Sequence, residues 1–377
     1  MGILNNFISK TKTILLLLLF SLLALPGVNA AEVKQNSKEL RVAFWNVENL
    51  FDTVVNGPSK HKDSDFTPSS WRRWTPQRYS QKLDHLAHVL NAMQPDVIGM
   101  AEVENLDVLQ DLNKRLEQKY GWKLPYIGHI DSSDTRGIDQ AIMSKYPILS
   151  THLVAHTYGR RGVLVVVVDV DNHPITFMVN HWKSPIGDYK ENMKTRAEEA
   201  KALRGELTKR YNRANDMSFV IMGDFNEDCD DVTLLDVLRV SKTRNQTLKH
   251  QDGPLALYHL AFDLPASERK TYYYARRSVW NSFDGIIVPV TLLPESTNSK
   301  CYWRVKDKKS FKVFTLPEMK EPGDGRPRAF RRVRIKGKPN NYYEEGYSDH
   351  FPVIVTLAPA SAVKVPSKES SQKVKLP

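Results

Sequence analysis

LRVAFWNVENLF, residues 40–51, changes character in its middle, and that change decides the fold. Leu40 to Trp45 is apolar apart from one arginine, the composition of a strand buried in a core. Asn46 and Glu48 follow at its end. The arrangement recurs along the chain. Asp96–Ala101 (DVIGMA) runs into Glu102, ITFMVN from Ile175 runs into His181, and Phe219–Met222 runs through Gly223 into Asp224 and Asn226. Asp284 opens the Phe283–Val288 run, and Asp349-His350 precede Phe351–Leu357. A strand end is where a rigid scaffold delivers functional side chains.

Helical periodicity lies between these runs. Thr75-Pro76 starts a helix in which Tyr79, Leu83, Leu86, Leu90 and Met93 share one face, and Pro95 ends it. Asp107–Tyr120 is a second helix. Asp188–Tyr211 is a third, with Met193, Ala197, Ala200, Leu203 and Leu207 facing inward. IDQAIM from Ile138, the β-branched VLVVVVDV from Val163 and ITFMVN read as strands, with His173-Pro174 at the turn of a hairpin between the last two. Strands and helices interleave, but hairpins are mixed in. That argues for an α/β fold of two mixed β-sheets packed face to face with helices outside, a four-layer sandwich.

The ends of the chain read differently. Lys10 and Lys12, the apolar run Ile14–Leu25 and the small residues at Val28-Asn29-Ala30 have the form of a signal peptide over residues 1–30. The run is short of the roughly 20 apolar residues that span a bilayer, so no stable membrane anchor is expected after cleavage. The expectation is an exported protein, periplasmic or secreted. Residues 31–38 read as a linker, 39–358 as one catalytic domain, and the polar stretch 359–377 as a disordered tail. Two cysteines, Cys229 and Cys301, allow at most one disulfide, so stability rests on the core.

Alone, an Asp or Asn at a strand end is usually a turn residue or helix cap. Together, Asn46, Glu102, His181, Asp224, Asn226, Asp284, Asp349 and His350 supply oxygen ligands for a hard cation, acid–base groups and donors for a phosphate. The sequence has no zinc-type Cys/His spacing, no Gly-rich phosphate loop and no Gly-x-Ser-x-Gly elbow.

The segments Trp45–Phe51, Ala101–Asn105, Gly137-Ile138-Asp139, Asn180–Ser184, Gly223–Asn226, Phe283-Asp284 and Ser348-Asp349-His350 occur in an order that resembles the endonuclease/exonuclease/phosphatase superfamily, the deoxyribonuclease I-like hydrolases. Within it the chain is most similar to a secreted bacterial nuclease-like branch. The resemblance covers about Leu40 to Leu357. It implies Mg²⁺ (with Mn²⁺ and Ca²⁺ as alternatives) on Glu102, with Asn46 and Asp349 close by. It implies that Asp224 orients or deprotonates water, that Asn226 holds a phosphate oxygen, and that Asp284 fixes the His350 imidazole. His181 would be a second imidazole with Asp139 as its partner. Whether Asp224 or His350 is the formal base stays open. The implied activity is metal-assisted hydrolysis of nucleic-acid phosphodiesters. A lipid or inositol-phosphate phosphoesterase and a non-catalytic polyanion-binding module are the alternatives.

Charge bears on the substrate. The chain carries +11, and Lys300–Lys338 alone holds 14 Lys/Arg against four acids. Such a segment is the footprint of a polyanion binder, here nucleic acid. Lys183, Arg328, Arg331, Arg332 and Arg334 are the candidate substrate contacts. Arg160-Arg161, Arg276-Arg277 and Tyr272-Tyr273-Tyr274 could add phosphate and stacking contacts, and Trp71, Arg72, Arg73 and Trp74 could flank the cleft. DNA versus RNA, endo versus exo cleavage and oligomeric state are not legible.

Overall fold

Side-chain alternation in the first strand, β1 (Leu40–Leu50), sets the layering. Val42 and Phe44 enter one apolar core, while Ala43, Trp45 and Val47 enter another on the opposite face. Successive strand residues face opposite ways, so a strand apolar on both faces must be covered on both. The computed structural model describes residues 39–55, 63–154, 160–249, 255–298, 301–330 and 346–363. Residues 1–38, Arg331, Arg332, Arg334 and residues 364–377 lie outside the described residues.

Helix α1 (Pro76–Met93) follows β1, then β2 (Val97–Val103), α2 (Leu106–Tyr120), β3 (Tyr126–His129) and β4 (Asp139–Ser144). Next come β5 (Ile148–Val154), β6 (Val163–Val170), β7 (His173–His181), α3 (Tyr189–Ala214) and β8 (Phe219–Asp224). Short strands β9 (Val240–Ser241), β10 (Leu257–His259), β11 (Tyr272–Tyr274) and β12 (Val279–Asn281) precede β13 (Asp284–Pro289). The chain closes with β14 (Trp303–Val305), β15 (Lys312–Val313) and β16 (Val353–Pro359). One sheet runs β14-β16-β1-β2-β4-β3, with β15 also on β16. The other runs β5-β6-β7-β8-β13-β10-β9. Both are mixed: β1/β2 and β7/β8 are parallel, their outer neighbours antiparallel. The expected α/β architecture of two mixed sheets with helices is the observed one.

The core between the sheets joins Val42, Phe44 and Val97 to Val166, Phe177, Val179, Val220 and Met222. Helices α1 and α2 cover the far side of the first sheet, and α3 covers the second. Each fully buried Leu, Val or Phe contributes about 1.5–3 kcal/mol relative to exposure. Phe44→Ala is the sort of change that costs roughly 3–5 kcal/mol. Gly99 of β2 lets the sheets approach: a Cβ there would lie 2.5 Å from Met222 Sδ in β8.

Several readings shift. The β6–β7 turn is Asp171-Asn172, both with positive φ (52° and 65°), while His173 and Pro174 already pair with Val170 and Asp169. A two-residue turn with two left-handed residues matches strand twist, and Asn and Asp tolerate that region. Pro174 is admissible because β8 begins pairing with β7 only at Thr176. The buried face of α3 is partly charged: Asn192, Arg196 and Glu199 join Ala200, Leu203 and Leu207, whereas Met193 and Ala197 are half-exposed. Arg196 Nε donates to Glu227 Oε1 at 2.7 Å, so this burial is paired. Order continues past 358, since β16 reaches Pro359, a 3₁₀ turn covers Ala360–Ala362 and Val363 is buried. Cys229 and Cys301 are separate buried thiols. Among the described residues no helix is long and apolar enough to cross a membrane.

Candidate active site

Two neighbouring strands lose register at the same level. β1 shifts against β2 between Asn46 and Leu50, and β2 shifts against β4 between Ala101 and Val103. Glu48, Asn49 and Glu102 take φ of 51°, 58° and 62°, a left-handed backbone that side-chain-bearing residues seldom adopt. A bulge inserts a residue and re-aims a side chain, and local strain of order 1–3 kcal/mol persists only where surroundings hold it. Here Asn46 Oδ1 accepts from Glu48 N (3.0 Å), Glu48 Oε2 from Phe330 N (2.7 Å) and Glu104 Oε2 from Asp52 N (2.9 Å).

Asp224 ends β8 in the opposite sheet. Its Oδ1 accepts from Asn226 N at 2.9 Å and its Oδ2 from Asn46 Nδ2 at 3.0 Å. That same Oδ2 lies 3.7 Å from His181 Nε2 and 3.8 Å from His350 Nε2. Asn226, with φ 50°, donates one amide N–H to Trp182 O at 3.0 Å. An amide nitrogen carries two, so the other is free to meet a substrate oxygen.

His350 is held on all sides. Its Nδ1 bonds Asp284 Oδ2 at 2.7 Å, its N bonds Ser348 Oγ, and its carbonyl accepts from Trp45 Nε1 at 3.0 Å. The Tyr272 ring stacks obliquely over the imidazole at 4.7 Å, and β11 bridges to His350 by backbone. Burial alone would depress the His350 pKa, but the Asp284 and Asp224 carboxylates outweigh it and hold it well above the usual histidine value. His181 goes the other way: burial, then the charges of Arg161 and Arg136, push it well below. The two imidazoles are thus biased in opposite directions, His350 toward the protonated form and His181 toward the neutral one. Burial dominates for Asp224 and raises its carboxyl despite the adjacent imidazolium.

The expected pairing of His181 with Asp139 does not form. Among the described residues His181 Nδ1 is buried without a hydrogen-bond partner. Asp139 Oδ1 instead accepts from Ser132 N at 3.0 Å, and Oδ2 lies 3.6 Å from His129 Nε2. The short Asp side chain is drawn to its own hairpin rather than across to the other sheet.

Glu102 lies 3.9 Å from His181 Nε2 and 3.4 Å from Arg136 Nη2, which also reaches Asn49 Oδ1 at 3.2 Å. Its carboxylate is largely shielded, and its contact with the Arg136 guanidinium is a long one at 3.4 Å. Glu48 and Asp349 act on buried Lys82 together with Glu102, which puts three carboxylates in one electrostatic neighbourhood. Carboxylates are the hard oxygen ligands that a divalent cation takes. The buried group Asp224, Asp284 and His350 is a second arrangement whose donor atoms lie within 4.8 Å of one another, but its 2.7 Å dyad is already satisfied internally.

The remaining substrate candidates divide. Lys183 is half-buried, its pKa lowered first by burial and then by the charges of Arg160, Arg161 and Arg136. Arg161 is structural: it pairs with Asp134 at 3.0 Å and donates to the carbonyls of His181 and Trp182. Arg328 is half-buried, its carbonyl accepting from Tyr347 N. Tyr272 packs between Phe283 and His350, Tyr273 meets Trp280 and Arg326, and Arg276 and Arg277 are exposed. Trp71 is exposed, but Trp74 is buried and bonds Phe51 O. Sequence alone carries no signal for Arg136, which immediately precedes the Gly137-Ile138 motif, or for Lys82. Fully buried on α1, Lys82 donates to Tyr347 O at 2.7 Å while His85 Nδ1 bonds Gly346 O at 2.6 Å, pinning the segment before Ser348-Asp349-His350.

The sequence profile of the Endonuclease/Exonuclease/phosphatase family matches residues 41–359. A truncated Caenorhabditis elegans TDP2 structure is similar at TM-score 0.50 and 13% identity, covering 85% of this chain and 98% of that one. An endonuclease/exonuclease/phosphatase family protein from Bacteroides thetaiotaomicron gives 0.49 and 19%, covering 85% and 98%. A mannosyl-6-phosphatase from the same organism gives 0.48 and 18%, covering 84% and 99%. At such identities the likeness concerns the fold. No curated protein matches the sequence.

Proposed function

The chain belongs to the endonuclease/exonuclease/phosphatase family, whose members are hydrolases of phosphoesters, and from that premise we propose an exported, Mg²⁺-dependent phosphodiesterase that cleaves nucleic acid. The observation that carries the reading is the placement of two imidazoles against one carboxylate oxygen, Asp224 Oδ2, in surroundings that bias them in opposite directions. Environments that drive titratable groups apart mark acid and base roles.

Asp224 is held at both oxygens, by Asn46 and by Asn226 N, so its orientation is fixed before substrate arrives. In this reading Asp224 aligns a water and takes its proton, and a carboxyl raised by burial is the stronger base. His350, already protonated on Nδ1 against Asp284, presents Nε2–H to a phosphoryl oxygen, with the free Asn226 N–H beside it. The water oxygen bonds phosphorus, the P–O bond to the leaving group breaks, and that oxygen takes a proton from solvent, to which Asp224 releases the one it removed. Neutral His181 is positioned next to both Asp224 and Glu102 without adding repulsion to a cation there. Glu102, Glu48, Asn46 and Asp349 would hold Mg²⁺, which supplies Lewis-acid neutralisation of phosphate charge.

Nucleic acid is favoured by the positive charges of Arg160, Arg161 and Arg136 that act on Lys183, two of which also act on His181, and by the basic Lys300–Lys338 segment. The test is purified protein against duplex DNA, single-stranded DNA, RNA, sphingomyelin and inositol phosphates, each with Mg²⁺ and with chelator. Chelator-sensitive cleavage of a nucleic acid is expected. Turnover confined to sphingomyelin or an inositol phosphate would overturn the substrate reading. No turnover of any of them, with nucleic acid still bound, would make the chain a binding module. Export rests on the residue 10–30 pattern, and N-terminal sequencing of exported protein is expected to begin at Ala31.

A further inference from the structure

Asp139, displaced from His181, belongs to a different constellation. His129 ends β3, Asp139 opens β4, and Asp131 lies in the loop that joins them. Donor atoms from these three residues all lie within 4.8 Å of one another. The His129 side chain is only 5% exposed, yet its Nε2 is buried with no hydrogen-bond partner among the described residues. That nitrogen faces Asp139 Oδ2 at 3.6 Å, while Asp131 Oδ1 stands 3.9 Å from the ring's other nitrogen.

The spacing is informative. A histidine and a carboxylate that share a proton close to hydrogen-bond distance, as His350 and Asp284 do at 2.7 Å. His129 and Asp139 are equally enclosed and do not close. Two ligands each about 2.1 Å from a common ion stand roughly 3.0–3.5 Å apart, close to what is seen between Nε2 and Oδ2. Asp139 is pre-aimed, because its other oxygen is fixed by Ser132 N at 3.0 Å. Asp131 is exposed, so it gives an ion a way in and can swing to complete the set.

We propose that His129, Asp131 and Asp139 form a second divalent-cation site, separate from the one at Glu102. One imidazole and two carboxylates suit a borderline ion such as Zn²⁺ or Mn²⁺ rather than the all-oxygen preference of Mg²⁺. The ion clasps both ends of the β3–β4 loop. That loop is internally tied, Asp134 accepting from Arg136 N at 2.8 Å and bonding Arg161 across to the second sheet. It also delivers Arg136 to Glu102. Occupancy therefore stiffens the segment that carries an arginine to the active site.

The test uses purified full-length protein stripped with chelator, dialysed and titrated with Zn²⁺ alone, with bound metal counted by elemental analysis. Wild type is expected to bind an equivalent that persists in Glu102→Gln and weakens about tenfold or more in His129→Gln and Asp131→Asn. Asp131 is exposed, so its variant keeps the fold even where a change at buried His129 does not. Hydrogen exchange gives an independent reading: Zn²⁺ is expected to slow the amides of residues 130–138 in wild type and Glu102→Gln, not in Asp131→Asn. Unchanged Zn²⁺ binding and protection in Asp131→Asn would overturn the site. So would loss of the ion in Glu102→Gln, which would place it at the active centre.

Discussion

Asn46 donates from Nδ2 to Asp224 Oδ2 at 3.0 Å, a hydrogen bond between strands of opposite sheets. Removing it by Asn46→Ala leaves a buried carboxylate one donor short, at a cost of about 1–3 kcal/mol. Activity is expected to fall by roughly tenfold to a few hundredfold. Steady-state kinetics beside a thermal melt check this, and unchanged kcat would show that the contact does not hold Asp224 in its working pose.

His350→Ala and Asp284→Asn are expected to lose similar amounts of activity, and their double variant little more than either. One carboxylate holding one imidazolium acts as a unit, so the losses do not multiply. Multiplicative losses in a double-mutant cycle would show two independent roles.

Glu102→Gln keeps shape and removes charge. The Mg²⁺ concentration giving half-maximal rate is expected to rise by about tenfold or more while the melting curve stays within a few degrees. Parent-like activity at every Mg²⁺ concentration would remove Glu102 from the ligand set.

Glu199 offers a pH test away from the site. Burial raises its carboxyl to about 7, although Lys183 N and nearby arginines pull the other way. A raised native pKa means the folded state binds the proton more tightly than the unfolded one between the ordinary value, 4.5, and about 7. Its contribution to stability therefore falls as pH rises through that window. Glu199→Gln is expected to lessen the stability lost between pH 5 and pH 8 by on the order of 2 kcal/mol. Urea unfolding at the two pH values measures it, and parallel changes in wild type and variant would refute it.

Lys82→Met leaves Tyr347 O without its 2.7 Å donor in a fully buried place. Expected losses are about 1–3 kcal/mol of stability and a larger drop in kcat than in substrate affinity, because Asp349 and His350 follow within three residues. Lys82→Arg is expected to recover part of the rate. Full activity in Lys82→Met would reduce the lysine to packing.

The strand-end residues were readable because each polar side chain closes an apolar run: Trp45 into Asn46, Ala101 into Glu102, Gly223 into Asp224. What sequence could not show was direction across space. Lys82 on an amphipathic helix looks like a solvated lysine, but the chain returns over it at Phe330 and at Gly346-Tyr347. The family resemblance implies Asp139 as the partner of His181, and β3, four residues long, carries too little pattern to place His129 beside it instead. The charged inner face of α3 was hidden for a related reason, since Arg196 finds Glu227 from beyond the next strand.

The apolar layer between the sheets has a consequence for how sharply the reaction centre is defined. Burial of apolar area is non-directional: it fixes how far apart two sheets lie, as where Gly99 meets Met222, but it resists lateral sliding weakly. Asn46 with Asp224 and His350 with Asp284 are directional links across that gap. The catalytic groups thus act as dowels between two plates that grease alone would let slip. Loss of one dowel would blur alignment of the others before it unfolded anything, so a loss of rate out of proportion to the shift in melting temperature is the signature of damage at this seam.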